Sequence, residues 1–294
     1  MPMVTVADLD VAYAVAGPEH GPVVFLLHGW PDDASTWDGV AGDLAEAGFR
    51  TIAPSLRGFG ETRFRSESAP RTGDTGVLAM DAIGLMDALG VDRFAVVGHD
   101  WGSNIAEALA VGWPQRIERL TMISTSPRLG GLPTPPFWQA QLDWYHWFMA
   151  TPRGAQALRE DRRGFAHLHW VNWGPPGWFD ETTFARVAQA WDNPAWVDVT
   201  LHSYRSRWGM AQPDPRGAWL VDKVEATQAL GLPAMIVQGQ ADGVSPPAAL
   251  GDLSAKFSGP FELLTLAAVG HFPQREAPGI VADHLLAFLA TAGA

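Results

Sequence analysis

A carboxylate occupies a tight turn in which a nucleophile could act. The segment Gly98-His99-Asp100-Trp101-Gly102 follows a predicted buried strand and precedes a predicted helix. The turn leaves no room for a Cβ on either side, so its central residue is strained outward, toward a substrate. The helix that follows points its first backbone N–H groups at the same place. Asp100 is therefore the candidate nucleophile, with an ordinary helix N-cap as the alternative.

The residue type of this nucleophile restricts the reaction. A carboxylate that attacks a saturated carbon forms an alkyl ester, which water can cleave at its carbonyl carbon. A serine in the same attack would form an ether, which would not turn over. Asp100 thus favours alkyl electrophiles over ester or amide substrates.

Two residues farther along the chain could transfer and orient protons. Asp242 follows the predicted strand that begins at Pro233, and His271 follows the last predicted strand. In this interpretation His271 takes a proton from water and Asp242 orients the imidazole. Asp192 and Asp222 are other acids, but neither follows a sheet strand. A core or surface histidine is the alternative for His271 taken alone.

The elements that must position these residues alternate between strand and helix. The alternation implies βαβ units and a mostly parallel sheet. Apolar runs predict strands at 11–16, 22–27, 49–54, 93–97, 120–123, 233–237 and 261–266. Helical spacing predicts helices at 37–47 with Ser35 as the cap, 77–89, 103–111, 248–257 and 280–289.

Residues 128–225 differ from the rest of the chain. Prolines and aromatics are frequent there, no strand is evident, and ten of the fourteen tryptophans fall between Trp138 and Trp219. Helices are predicted at 138–150, 154–169, 182–189 and 197–208. The sequence therefore predicts a core built from 1–127 and 226–294, with 128–225 inserted as a helical cap.

Composition excludes several classes of protein. The chain has 294 residues and no cysteine, which excludes disulfides, thiolate metal sites and a cysteine nucleophile. A net charge of −12 argues against binding to nucleic acid or anionic membranes. No apolar run reaches the length of a membrane span, and the first residues do not form a signal peptide. We expect a cytoplasmic enzyme without metal or cofactor, and the sequence leaves open a monomer or a homodimer.

The chain resembles α/β-hydrolases of the epoxide hydrolase and haloalkane dehalogenase group. The resemblance rests on the nucleophile turn, on the order Asp100, Asp242, His271 and on the loop His28-Gly29-Trp30-Pro31. It implies an α/β fold with a mostly parallel eight-stranded sheet, flanked by helices, and a cap inserted after strand six. It also implies a cis peptide bond before Pro31.

The resemblance assigns further residues to the site. The backbone N–H groups of Trp30 and Trp101 would form the oxyanion hole that stabilises the tetrahedral intermediate of ester hydrolysis. Packing is the alternative for both tryptophans, and the two roles are compatible. The substrate pocket would include His28, Pro31, His99, His146 and Trp147.

Two cap tyrosines favour an epoxide substrate. In epoxide hydrolases such tyrosines hydrogen-bond the epoxide oxygen and act as the acid. Tyr145, in Leu-Asp-Trp-Tyr-His-Trp-Phe at 142–148, and Tyr204, followed by Arg205, resemble them. Packing of the cap helices is the alternative. The aromatic cap suggests a small apolar or aromatic organic substrate.

Three other functions stay open. Trp101 after the nucleophile equally resembles haloalkane dehalogenases, although their usual second halide ligand, an asparagine after His-Gly, is Trp30 here. A fluoroacetate dehalogenase ranks third, because those enzymes have arginines where this chain has Trp101 and Asn104. The last is a hydrolase fold without activity that binds a ligand or partner, against which the intact Asp100, Asp242 and His271 argue.

Overall fold

A mostly parallel sheet organises the computed structural model, which describes residues 1–131 and 134–290. Eight strands run in the order β1-β2-β4-β3-β6-β7-β8-β9, and the two-residue β5 pairs with β2. The pairs from β4 through β9 are parallel, whereas β2 is antiparallel to its neighbours. The strands are β1 (Met3–Val6), β2 (Leu9–Ala16), β3 (Val23–Leu27), β4 (Arg50–Pro54), β5 (Arg63–Phe64), β6 (Phe94–His99), β7 (Ile117–Ile123), β8 (Ala234–Gly239) and β9 (Phe261–Leu266).

Helices cover both faces of this sheet. On one face β3 buries Phe25 and Leu27 in the cluster that also holds α2 and α3, and on the other it buries Val24 and Leu26 with α1 and α12. This alternation is the two-residue period of a strand that is buried on both sides. The core helices are α1 (Asp38–Glu46), α2 (Thr75–Ala88), α3 (Trp101–Gly112), α11 (Pro273–Glu276) and α12 (Pro278–Ala290).

The register of the parallel strands gathers the site at one edge of the sheet. Leu27 at the end of β3 pairs with Gly98, and His99 at the end of β6 pairs with Ile123. Loops at the carboxyl ends of parallel strands open on the same side. The loops after β3, β6, β8 and β9 therefore meet there.

The segment between β7 and β8 is helical, as predicted, and it follows the sixth strand when β5 is left out. The predicted helix 138–150 is two helices that meet at Asp143, and 154–169 is two that meet at Asp161, whose carboxylate caps the second. The helices are α4 (Phe137–Leu142), α5 (Trp144–Ala150), α6 (Pro152–Glu160), α7 (Arg162–Trp173), α8 (Glu181–Val187), α9 (Trp196–Arg207) and α10 (Ala218–Ala226).

The limits of the cap stay a prediction. Residues 132 and 133 of the proposed range lie outside the described residues. Helix α10, which the sequence pattern did not predict, packs against α2 and α3 of the core. That contact is close because Gly76 and Gly217 meet backbone to backbone, with no space for a Cβ on either.

Two local predictions were wrong. Asp33, not Ser35, caps the first helical turn, and its carboxylate accepts a hydrogen bond from the Ser35 N–H. The segment 248–257 is not a helix, since it holds only a 3-10 turn at Pro247–Leu250. Gly251 ends that turn with a φ of 65°, a left-handed conformation that stops helix propagation. No helix in the described ranges is long and apolar enough to cross a bilayer.

Two helical glycines should respond oppositely to alanine. A Cβ on Gly102 would overlap the backbone of Leu27, whereas one on Gly42 in α1 would meet nothing. We expect Gly102→Ala to lower the free energy of unfolding by about 3 kcal/mol, and Gly42→Ala to raise it by about 0.5–1 kcal/mol through helix propensity. Urea denaturation followed by circular dichroism measures both. Equal effects would contradict the close approach of α3 to β3.

Candidate active site

The backbone of Asp100 is strained at the turn between β6 and α3. Its φ of 50° and ψ of −114° lie where L-residues are rare, at a cost of about 1–3 kcal/mol. The Asp100 N–H donates to the carbonyl of Ile123 at 3.1 Å, and Ser103 Oγ donates to the Gly98 carbonyl at 2.7 Å. A Cβ on Gly98 would overlap the backbone of Gly102. These contacts hold the turn so that the carboxylate points out of it.

The two oxygens of the Asp100 carboxylate have different surroundings. Oδ1 accepts a hydrogen bond of 2.8 Å from the Trp30 N–H. Oδ2 faces His271 Nε2 at 3.8 Å. Trp101 is the first residue of α3, so its N–H has no acceptor within the helix. One oxygen is thus held by a backbone donor, and the other is free to react.

His271 is oriented by Asp242. Asp242 Oδ2 lies 2.9 Å from His271 Nδ1, and its Oδ1 accepts from the N–H groups of Val244 and Ser245 at 2.9 and 2.8 Å. A carboxylate can only accept, so Nδ1 carries the hydrogen. Nε2 is buried and has no hydrogen-bond partner among the described residues. This nitrogen is therefore available to a water molecule or a substrate.

Neighbouring charges determine the protonation states of His271 and Asp100. Burial lowers the pKa of His271, but the carboxylates of Asp242 and Asp100 outweigh burial and raise it to about 10. Burial raises the pKa of Asp100, but the adjacent His271 outweighs it and holds that pKa below its usual value. The resting site is an imidazolium between two carboxylates.

An ion pair that the sequence pattern did not identify joins two of the loops. Arg275 donates to both oxygens of Asp32, with the shortest contact at 2.6 Å, and to Asp33 at 3.2 Å. Asp32 lies two residues after Trp30, and Arg275 lies four residues after His271. The sequence held one clue to this ion pair: two acids follow one candidate loop, and an arginine follows the other. The pair fixes the Trp30 N–H relative to His271.

The predicted pocket residues His28 and His99 both form hydrogen bonds with backbone groups. His28 Nε2 accepts from the Leu56 N–H at 3.1 Å, and His99 Nε2 lies 2.7 Å from the His271 carbonyl. Burial lowers the pKa of each to about 4, so both rings are neutral. They hold backbone rather than face an open cavity. The peptide bond before Pro31 is cis, as predicted.

The two cap tyrosines come together against Trp30 and Trp101. The ring centroids of Tyr145 and Tyr204 are 5.4 Å apart, and both rings are buried. Trp30 stacks on Tyr145 at 5.7 Å and meets Tyr204 edge-on at 5.5 Å, while Trp101 contacts Tyr204 at 5.6 Å. Helices α5 and α9 thus bring two phenols against the tryptophans that flank Asp100.

Both phenols are held neutral. Burial raises the pKa of Tyr145 well above its usual value, and Tyr204 and Asp100 add to the effect. Burial and then Asp100 raise the pKa of Tyr204 above its usual value. The negative charge of Asp100 therefore reaches both hydroxyls, and each keeps its proton at neutral pH.

His146 and Trp147, the other predicted pocket residues, differ in position. The His146 ring lies 4.3 Å from Tyr145 and 4.6 Å from Tyr204, and burial lowers its pKa well below the usual value. Trp147 is 36% exposed and packs on Trp208 at 4.3 Å. His146 thus belongs to the tyrosine cluster, and Trp147 lies at the surface of the cap.

Some polar groups near Asp100 are buried without a hydrogen-bond partner among the described residues. They include the indole N–H groups of Trp30 and Trp101. Among the described residues, no group of three or more His, Asp or Glu side chains could hold a metal ion. The arrangement combines a carboxylate in a strained turn, an imidazole oriented by a second carboxylate, two neutral phenols and a backbone donor on Asp100.

The chain is similar in sequence and in fold to known proteins. A family model for the alpha/beta hydrolase fold matches residues 22–278. Epoxide hydrolase A of Mycobacterium tuberculosis is 27% identical over 93% of this chain and 92% of its own, and an epoxide hydrolase of Caballeronia sordidicola is 28% identical over 98% and 94%. The crystal structure of a candidate epoxide hydrolase from Klebsiella pneumoniae is 36% identical, covers 98% of this chain and 96% of its own, and has a TM-score of 0.91.

Removing the Asp100 charge should change the titration of His271. We expect Asp100→Asn to lower the His271 pKa by at least about one unit, because one of two neighbouring carboxylates is lost. NMR titration, with the signal assigned through His271→Gln, measures it. Asp252→Asn, at a surface turn, is the control. An unchanged pKa would show that Asp100 does not act on the imidazole.

The same shift predicts how stability depends on pH. A raised pKa means that the imidazolium stabilises the fold fully below pH 6.5, and that this contribution is lost as the pH rises to about 10. We expect the wild-type free energy of unfolding to fall across this window. Asp100→Asn should flatten the fall. Denaturation at a series of pH values tests both, and an equally steep fall in the variant would oppose the assignment.

Proposed function

The chain belongs to the α/β-hydrolase fold family of enzymes, and on that premise we propose that it is an epoxide hydrolase with Asp100 as the nucleophile. One observation carries the proposal: Tyr145 and Tyr204 lie together, neutral, over the tryptophans that flank Asp100. An epoxide needs both an attacking group and a proton donor on opposite sides of one carbon–oxygen bond. The names of the relatives support the same substrate class.

In the first step, Asp100 Oδ2 attacks a ring carbon as the carbon–oxygen bond breaks. Oδ2 suits this role because Oδ1 is held by the Trp30 N–H. The released oxygen takes a proton from the hydroxyl of Tyr145 or Tyr204. An aliphatic alkoxide is a stronger base than a phenolate, so this transfer is favourable even from a phenol of raised pKa. The product is an alkyl ester on Asp100.

In the second step, water attacks the carbonyl carbon of that ester. His271 Nε2 removes a proton from the water, and the charge on the imidazolium is balanced by Asp242. Oδ1 becomes the oxyanion and already has its donor in the Trp30 N–H, with the Trp101 N–H as the second. Collapse of the intermediate breaks the bond to the leaving oxygen, which takes the proton of the added hydroxyl, so the diol leaves and the Asp100 carboxylate is restored. His271 is then again the imidazolium of the resting site, and the proton that it gave to solvent before water attacked neutralises the phenolate. The sum is one epoxide and one water giving one diol.

Esterification itself prepares His271 to act as a base. In the resting site two carboxylates hold the imidazole protonated. The ester is neutral, so one of these charges disappears in the first step. The pKa of His271 then falls, and the ring can release its proton to solvent before water attacks. The order of the two steps is thus built into the charges of the site.

The covalent step can be tested by oxygen labelling. With enzyme in excess in heavy-oxygen water, we expect the diol of the first turnover to be unlabelled, because its new oxygen comes from Asp100. The label should then appear in the Asp100 peptide by mass spectrometry. Asp100→Asn should abolish turnover, and His271→Gln should accumulate the ester. Label in the first diol would contradict the ester mechanism.

The acid role can be tested with the three tyrosines of the chain. We expect Tyr145→Phe and Tyr204→Phe each to lower kcat for styrene oxide by about a hundredfold, since each removes one donor to the leaving oxygen. Tyr13→Phe, in β2 and away from the site, is the matched control and should leave kcat within about twofold. If both cap variants kept wild-type rates, the tyrosines would be packing residues.

A haloalkane dehalogenase is the second candidate. The observation in its favour is the pair of buried indole N–H groups on Trp30 and Trp101, which lack partners among the described residues and could bind a departing halide. That reaction needs no phenolic acid. Halide release from a panel of chloroalkanes, with no diol formed from styrene oxide, would replace the epoxide proposal by this one.

A further inference from the structure

A cavity of about 130 Å³ lies beside the proposed site, between the cap and the core. It has room for roughly ten water molecules, at about one probe sphere each. Its walls come from the first turns of α2 and α3, the loop after β7, the end of α9, and α10.

Two contacts connect this cavity to the reacting groups. Asn104 lines it and donates from Nδ2 to the carbonyl of Asp100 at 3.3 Å, one helical turn from the carboxylate. Arg207 also lines it, and its guanidinium lies 5.2 Å from the ring centroid of Tyr204. A ligand in the cavity would therefore lie one turn of α3 from Asp100 and next to the residue that packs on the Tyr204 ring.

Two guanidinium groups face the cavity without a carboxylate within ion-pair distance among the described residues. The side chain of Arg128 donates to Thr75 Oγ1 at 3.2 Å, and Arg207 contacts the Tyr204 ring. Burial and then the charge of Arg207 lower the pKa of Arg128 to about 9, so the two side chains repel each other. An anion between them would relieve this repulsion.

The acids that line the cavity act on Arg128 through their charge, which raises its pKa, but among the described residues none of them forms an ion pair with Arg128 or Arg207. Glu107 accepts from the N–H groups of Arg128 and Leu129, and burial raises its pKa to about 7. Asp74 accepts from the N–H groups of Val77 and Asp214. Backbone donors thus occupy these carboxylates. Glu225 is exposed to solvent, where its charge is screened.

We propose that this cavity binds a carboxylate at the far end of the substrate, with Arg128 and Arg207 as the residues that select it. The substrate would be an epoxide with an apolar body and an anionic terminus, so this inference rests on the proposed function. A planar guanidinium matches a carboxylate with two donors, which gives direction as well as charge. Arg128 lies in the loop after β7 and Arg207 at the end of α9, so the two guanidinium donors would come from different segments of the chain.

A pair of substrates tests the selection. Epoxyhexanoate, the terminal epoxide of hexenoic acid, is compared with its methyl ester, which has the same reacting end and no charge. We expect kcat/KM for the acid to exceed that for the ester by about tenfold or more, the worth of one charge-assisted pair. In Arg207→Gln the ratio of kcat/KM for the acid to kcat/KM for the ester should fall to about one, and because it is a ratio it does not depend on the absolute rate of the variant.

Two controls keep the result specific. Arg163→Gln removes an exposed arginine that pairs with Asp192 on the cap surface, and it should keep the preference. Arg128→Gln should resemble Arg207→Gln, provided that its melting temperature equals that of the wild type. Equal use of acid and ester by the wild type, or a preference that survives Arg207→Gln, would overturn the inference.

A binding measurement separates this inference from the reaction. Hexanoate has the carboxylate and no epoxide, so its affinity by calorimetry does not depend on turnover. If neither epoxide is opened, the proposed function fails, and hexanoate then decides the inference alone. Binding that weakens about tenfold in Arg207→Gln but not in Arg163→Gln supports the carboxylate site, and unchanged or absent binding overturns it.

Discussion

The close approach of α3 to β3 is the constraint on which the site depends. Gly102 touches the backbone of Leu27, and this contact forces the turn in which Asp100 adopts a positive φ. The strain is about 1–3 kcal/mol, and the packing of the sheet on its helices offsets it. In return, Asp100 is presented to a donor from one loop and an imidazole from another. A looser turn would let the carboxylate fold back onto its own helix as a cap.

Charge organises what the turn presents. Two carboxylates hold His271 protonated, and the loss of one of them is what a covalent step on Asp100 would cause. Burial, reinforced by the charge of Asp100, raises the pKa of both phenols and keeps them neutral. The ion pair of Arg275 with Asp32 joins the loop that contains Trp30 to the loop that contains His271. It therefore holds the charged groups of the site at fixed distances from one another. A single negative charge on Asp100 therefore influences every proton that the proposed reaction moves.

The cap supplies chemistry of two kinds. Its aromatic residues enclose the tyrosines in an apolar environment, which accounts for the tryptophan-rich composition of the segment. Helix α9 places Arg207 beside a cavity that Asn104 and Arg128 also line. An apolar enclosure around the reacting carbon, with a charged pocket at its side, would favour substrates that have both an apolar body and an anionic end.

Local sequence patterns predicted seven of the nine strands that the structure describes, missing β1 and the two-residue β5. They also predicted the tight turn at Asp100 and the order of Asp100, Asp242 and His271, because each depends on neighbouring residues and on alternation along the chain. They also predicted the helical nature of the inserted segment, although the breaks at Asp143 and Asp161, the extra helix α10 and the false helix at 248–257 depended on side-chain caps and packing. Only the tertiary structure decided which polar groups meet. Arg275 and Asp32, Tyr145 and Tyr204, and Arg128 and Arg207 are far apart in sequence, and a one-dimensional pattern contains no distance between them.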